Sequence, residues 1–341
     1  LAANQGNEGD WRCNDLGLIG MGALAFMAAG HAPGRGKYGT EVQRALDFLV
    51  ENAQPSGLLN ISNAQRDMYN HGLATLVLGQ AHGMSTRHDR QSNATLDQAL
   101  RLIALTQCED GGWGYQAQAR PRGHDLSLVV MQAKALRSAM DSGLEVPSEV
   151  VTKAIQSVRE HYWPRSGARG SNPRDGPGQF TYSKGGGGPT LAMAAAGVVC
   201  LQELGCYDDW RIAKNMDVIG AAVGQLPEAK AGSGVMPFDS YTLYYVGQSL
   251  YQVGGQPWRR HYPPLRDYLV AAQRRGDERA EQRGSWIDRG ADGKGRLSGS
   301  SGELYATSVA CLILAIPNRY LPILQEGRIE SLQMSSTSEQ Q

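Results

Sequence analysis

This 341-residue chain lacks any excess of charge. Lys and Arg together number 33, as do Asp and Glu, so no net field draws it to nucleic acid or to an anionic membrane surface. The basic run over residues 274–283 is interrupted by acids and reads as a solvated face. Cysteine is sparse and odd in number: Cys13, Cys108, Cys200, Cys206 and Cys311. None forms a Cys-x-x-Cys pair, which excludes the common zinc and dithiol motifs and leaves buried thiols as the reading. No run reaches the roughly 18 apolar residues of a membrane span, and the first residues do not read as a signal peptide. Compartment stays open. No cofactor motif is present either. Lys184-Gly-Gly-Gly-Gly188 lacks the Walker pattern and reads as a flexible loop.

What the chain does have is a hydrophobic content of 41%, enough for a substantial core, and a recurring turn. In Gln107-Cys-Glu-Asp-Gly111-Gly-Trp113, glutamine, three residues, glycine, one residue and tryptophan follow in order, and Gln5-Gly-Asn-Glu-Gly9-Asp-Trp11 repeats the pattern. Gln282-Arg-Gly284-Ser-Trp286 is a looser third copy. The glycines turn the chain while indole and amide fasten it to its neighbours.

Between these turns two kinds of helix alternate. One kind carries a single apolar stripe, such as Val42, Ala45, Leu46, Leu49 and Val50 after a capping box at Thr40 and Gln43. Further stripes run over residues 96–104, 151–158, 212–223 and 265–272. The other kind is apolar all round and begins near Asp15, Asp67, Asp125, Pro189, Asp239 and Glu303, as expected of a helix surrounded by protein. Pro189 suits a first helical turn. The recurrence every ~50 to 65 residues is that of a helix-pair repeat. An open solenoid would leave one side of the inner helices wet; the expectation is therefore an all-α fold, a single α/α toroid of six hairpins with inner and outer rings. Residues 1–324 form the toroid, with the first outer helix absent because residues 1–5 read as its last turn. Residues 325–341 form a polar, disordered tail, and the Gly-rich stretch over 162–188 is a surface loop.

The Gln-Trp turns, the alternation and the closing segment Leu304-Tyr-Ala-Thr-Ser308 to Ile316-Pro-Asn-Arg-Tyr320-Leu-Pro resemble the prenyltransferase and squalene-oxidase repeat proteins. That group includes the squalene-hopene and oxidosqualene cyclases and the β subunits of protein prenyltransferases. The resemblance implies a pocket where the inner helices begin. There Asp15, Tyr69, His71, Tyr182, Phe238, Asp239, Tyr241, Tyr244, Glu303 and Tyr305 would bind substrate, and Asp125 with His124 would be catalytic. Aromatic faces steady a carbocation and an acid starts it. In place of the cyclases' Asp-x-Asp-Asp or Asp-Cys-Thr-Ala-Glu motif stands His124-Asp125-Leu-Ser127, with one carboxylate. The zinc ligands of the prenyltransferases are also missing, since Cys311 has no histidine near it, so no metal is expected. The Gly-Cys-x-Glu-Gln motif of thioester domains is absent as well.

Each acid at an inner-helix start also has a plain structural role as a cap that complements the helix dipole. Tyr241, Tyr244 and Tyr245 at helical spacing suit a core, and His71 a hydrogen-bonded lining residue. Three functions follow. The first is a terpenoid-cyclase-like protein acting on or binding an isoprenoid, with acid-initiated cyclisation if catalytic. The second is a non-catalytic toroid for a hydrophobic ligand or protein partner. A carbohydrate-active toroid, the third, needs two facing carboxylates.

Overall fold

The computed structural model describes residues 1–84, 90–164, 172–275, 280, 282–288 and 299–325. The inner helices are α1 (Leu16–Ala28), α3 (Asp67–Met84), α5 (Leu126–Asp141), α7 (Leu191–Glu203), α9 (Ser240–Val253) and α11 (Gly299–Ala315). Between them lie the outer helices α2 (Gly39–Glu51), α4 (Arg90–Thr106), α6 (Ser148–Glu160), α8 (Trp210–Gly224) and α10 (Gly255–Ala272). Each inner helix packs on the next, and α11 packs back on α1, so the ring is closed. The fold is an α/α toroid. Among the described residues no helix is long and apolar enough to cross a membrane.

Burial follows the two sequence rhythms. All of α1 is buried, whereas α2 buries Val42, Ala45, Leu46, Leu49 and Val50 along one stripe. Small residues bring the inner helices together; a Cβ added to Gly79 would collide with Ser138, and one on Gly72 with Met131. These pairings rise together in number, so neighbouring inner helices run parallel and their starts gather at one end, the mouth.

The turns are built alike. The Trp113 indole donates to Ile103 O at 2.9 Å, and the Gln107 amide donates to Gly111 O and Val150 O at 3.1 and 2.9 Å. The indole thus caps a free carbonyl at the end of α4, while the amide pins the first turn of α6. Trp11 reaches Leu1 O, and Gln5 reaches Gly9 O and Glu41 O. In the third copy Trp286 donates to Leu269 O and Gln273 to Gly284 O. In all three the capped carbonyl lies four residues before the glutamine, so the acting residue here is Gln273 and not Gln282. Gln107→Ala is expected to cost about 2 kcal/mol by stranding two carbonyls, as read by urea unfolding.

Several local expectations are corrected. Helix α2 begins at Gly39 with no side-chain cap, and Gln43 donates to Asp47, so Thr40 and Gln43 form no capping box. Pro189 lies in a strand and Thr190 caps α7. Helix α11 begins at Gly299, which puts Glu303 in its second turn. The stretch 162–188 contains β1 (Tyr162–Pro164), β2 (Gly178–Ser183) and β3 (Gly187–Pro189), paired antiparallel in that order. Phe180 anchors this sheet: fully buried, it packs where a Cβ on Gly197 of α7 would sit, and its N–H donates to Asn215 at 2.9 Å. The expected tail beyond residue 325 and the loop portion 165–171 lie outside the described residues.

Candidate functional site at the toroid mouth

Asp125 caps α5, and its position at the first turn aims its carboxylate at the mouth. Oδ1 accepts from Ser127 N at 3.0 Å and from the Ser127 hydroxyl, and Oδ2 accepts from the Tyr115 hydroxyl at 2.6 Å. Since the Ser127 proton goes to Asp125, the Tyr69 hydroxyl donates to Ser127. Likewise Tyr115 spends its proton on Asp125, so Tyr182 on β2 donates to Tyr115 at 2.6 Å. Two hydroxyl chains therefore converge on a carboxylate that is 3% exposed. Burial and the Asp125 charge push the Tyr69 hydroxyl pKa well up; burial, then the bond to Asp125, does the same to Tyr115. Both phenols remain donors.

Aromatic faces surround this centre. Tyr69 and His124 stand 5.7 and 5.0 Å from the Tyr115 ring. Burial, and then the field of Tyr69, Tyr305 and Asp125, raises the Tyr241 pKa. The structure thus brings together Asp125, His124, Tyr69, Tyr182, Tyr241 and Tyr305. His124 is exposed at the rim, and Tyr305 is buried.

The remaining expected residues are held by other partners. His71 is fully buried and reaches outward: its Nδ1 accepts from Leu59 N at 3.2 Å, so Nε2 donates to Ala99 O of α4 at 3.0 Å. It is a core residue and not a lining one; burial brings its pKa down to about 4. Asp15 caps α1 and pairs with Arg66 at 2.5 Å; burial raises its pKa against the pull of that guanidinium. Asp239 caps α9 and accepts from Thr242 N and its hydroxyl at 3.0 and 2.6 Å, with Phe238 half-buried beside it. Glu303 pairs with Arg274 at 3.2 Å. Tyr244 lies deeper, 1% exposed, with Lys134 Nζ 5.6 Å over its ring.

Tyr115 and Ser127 were not among the expected site residues. Their signal was proximity: Tyr115 closes the Gln-Trp turn, and Ser127 stands two residues beyond Asp125, at the distance a capping carboxylate reaches back over. The strand bearing Tyr182 is held over the mouth by Lys184, whose ammonium bridges Asp110 at 2.8 Å and Glu160 at 2.9 Å. Among the described residues no group of three or more His, Cys, Asp or Glu side chains converges as a metal site would.

No protein-family model matches the chain. A drimenyl diphosphate synthase from Streptomyces showdoensis is 30% identical over 168 residues, 48% of this chain but only 29% of that protein's length. Among solved structures, the GH76A alpha-1,6-mannanase from Salegentibacter sp. HEL1_6 superposes with a TM-score of 0.55 at 12% identity, covering 91% of both chains. An inactive variant of that mannanase in complex with alpha-1,6-mannotetrose gives 0.56 at 12% identity over 92% of both. At such identity the mannanases show the shared fold alone.

Proposed function

We propose that this chain is a terpenoid-cyclase-like toroid that takes the hydrocarbon part of an isoprenoid at its mouth, with Asp125 as the negative pole beside which cationic charge is held. The observation that carries this reading is the convergence of Tyr115, Ser127, Tyr69 and Tyr182 on one buried carboxylate among aromatic rings. Similarity to a drimenyl diphosphate synthase over 48% of the chain supports it. Electron-rich ring faces and a fixed carboxylate stabilise the same kind of charge.

The hydrogen bonding favours Asp125 as an acceptor over Asp125 as the initiating acid. Three hydrogen bonds point at its oxygens, the arrangement of an acceptor carboxylate. His124 is exposed at the rim with its ring against Tyr115. A carbohydrate reading needs an opposed pair of carboxylates, but Asp15, Asp67, Asp239 and Glu303 are engaged by Arg66, by Asn60 and Ala117, by Thr242 and by Arg274.

The test is incubation with squalene and with prenyl diphosphates of several lengths, followed by mass spectrometry of retained and converted material, with alpha-1,6-linked mannooligosaccharide in parallel. Retention or conversion of a prenyl compound is expected. Asp125→Asn, which keeps the shape and removes the charge, is expected to lower conversion about a hundredfold. Cleavage of the oligosaccharide, or no prenyl compound retained, would overturn the proposal.

A further inference from the structure

Below the mouth the bore of the toroid is filled by one face of α9. Tyr241, Tyr244, Tyr245, Gln248 and Gln252 recur at the spacing that stacks side chains along a single helix face. Tyr241, in the first turn, is partly exposed, whereas Tyr245 and Tyr244 are 0% and 1% exposed. The rings touch in series: Tyr241 to Tyr245 at 4.9 Å, and Tyr245 to Tyr244 at 5.0 Å, both edge to face. The Tyr245 hydroxyl donates to Met131 Sδ of α5 at 3.3 Å, so the column spans the bore from α9 to α5. Beneath it the void bordered by Lys134, Tyr244 and Gln248 is about 10 Å³, room for no more than about one water molecule. Residues 321–324 close the base, where Ile323 N donates to Gln80 at 3.0 Å and the Tyr251 hydroxyl donates to Leu324 O at 2.5 Å. A hydrocarbon chain that passes the mouth therefore meets the Tyr241 ring ahead of the buried Tyr245 and Tyr244.

We propose that Tyr241 is the stop that sets how long an isoprenoid chain the mouth accepts. This rests on the reading of the mouth as an isoprenoid site and names the residue that fixes chain length there. The ring itself is the barrier. Removing it opens space for about one five-carbon unit, each added methylene of which gains by burial.

The experiment measures binding of prenyl diphosphates of ten, fifteen, twenty and twenty-five carbons to the wild type and to Tyr241→Ala, Tyr241→Leu and Tyr241→Phe, with thermal melts to confirm folding. The wild type is expected to show a length optimum. Tyr241→Ala shifts it one unit longer, with roughly tenfold tighter binding of the next chain than the wild type shows. Tyr241→Leu, which keeps an apolar side chain in the column, shifts preference the same way by less, and Tyr241→Phe leaves the optimum in place. If the wild type has an optimum that folded Tyr241→Ala and Tyr241→Leu share, or if Tyr241→Phe moves it, the stop is not Tyr241 although the isoprenoid site stands. If no chain binds the wild type, both readings fall.

Discussion

Lowering the pH from 7 to 4 is expected to remove about 6 kcal/mol of folding stability through two histidines, at about 3 kcal/mol each. His71 and His161 are 0% and 2% exposed, and burial brings both down to about 4. For His161 the nearby Lys184 ammonium adds to the depression. The His71 ring is neutral where it accepts from Leu59 N while donating to Ala99 O, whereas His161 donates Nδ1–H to Thr181 O at 3.2 Å, a bond that opposes the depression without cancelling it. A histidine whose folded pKa lies below its unfolded value of about 6.5 binds fewer protons when folded across that window. Its stability is therefore complete above pH 6.5, falls as pH drops towards 4, and changes no further once both states are protonated. Asp15 and Asp141 act in the opposite sense, because burial raises their folded pKa and protonation favours the fold. Urea unfolding at half-unit steps between pH 7 and pH 4 reads the slope. His71→Gln and His161→Gln should each flatten the slope, and an unchanged slope in both would mean that neither imidazole is buried as described.

The same pair marks what local sequence does not reveal. Val42, Ala45, Leu46, Leu49 and Val50 announce a helix with one dry side, and the unbroken small and apolar residues of α1 announce one with none. A helix dry on all sides needs neighbours on all sides, which is why the closed ring was legible. His71 was placed at the mouth because it stands in the first turns of α3, but a helix turns 100° per residue, and position alone does not say which face is presented. The sheet over 162–189 was hidden by its glycines; its identity lies in Phe180 fitting against Gly197, a contact across 17 residues of chain. Gln273 was displaced from its Gly-x-Trp by an insertion, so pattern spacing pointed to Gln282 while the capped carbonyl of Leu269 points to Gln273. At the site, Asp125 was legible as a cap, whereas Tyr115 and Ser127 gain their role only from the side-chain proton each directs at it.

Least legible of all was the charge inside the bore. Lys134 interrupts the apolar run of α5, and its partner Glu203 lies at the end of α7; they are 1% and 2% exposed. Nζ donates to Glu203 Oε1 at 2.8 Å and to Gln248 Oε1, while Gln252 Nε2 donates to the same Glu203 oxygen at 2.7 Å. Burial pulls the ammonium pKa down, but Glu203, Tyr244 and Cys200 together outweigh it and the net shift is upward, so the ammonium is charged at neutral pH. Lys134→Ala is expected to destabilise the fold by about 3–5 kcal/mol, because Glu203 would keep its desolvation cost and lose its cation. That loss should shrink as pH falls, since a lone buried carboxyl takes up a proton in the folded state at higher pH than in the unfolded chain. Replacing both partners, Lys134→Met with Glu203→Leu, removes the two desolvation costs together and should bring stability back to within about 1 kcal/mol of the wild type, or above it. Thermal and urea unfolding of the three variants at pH 5 and pH 8 separate these outcomes. If the double variant is as unstable as the single one, the pair itself contributes net stability. If it recovers, its place beneath the tyrosine column is explained by the geometry it imposes on Gln248 and Tyr244, and a looser column in that variant should blunt any discrimination between prenyl chain lengths at the mouth.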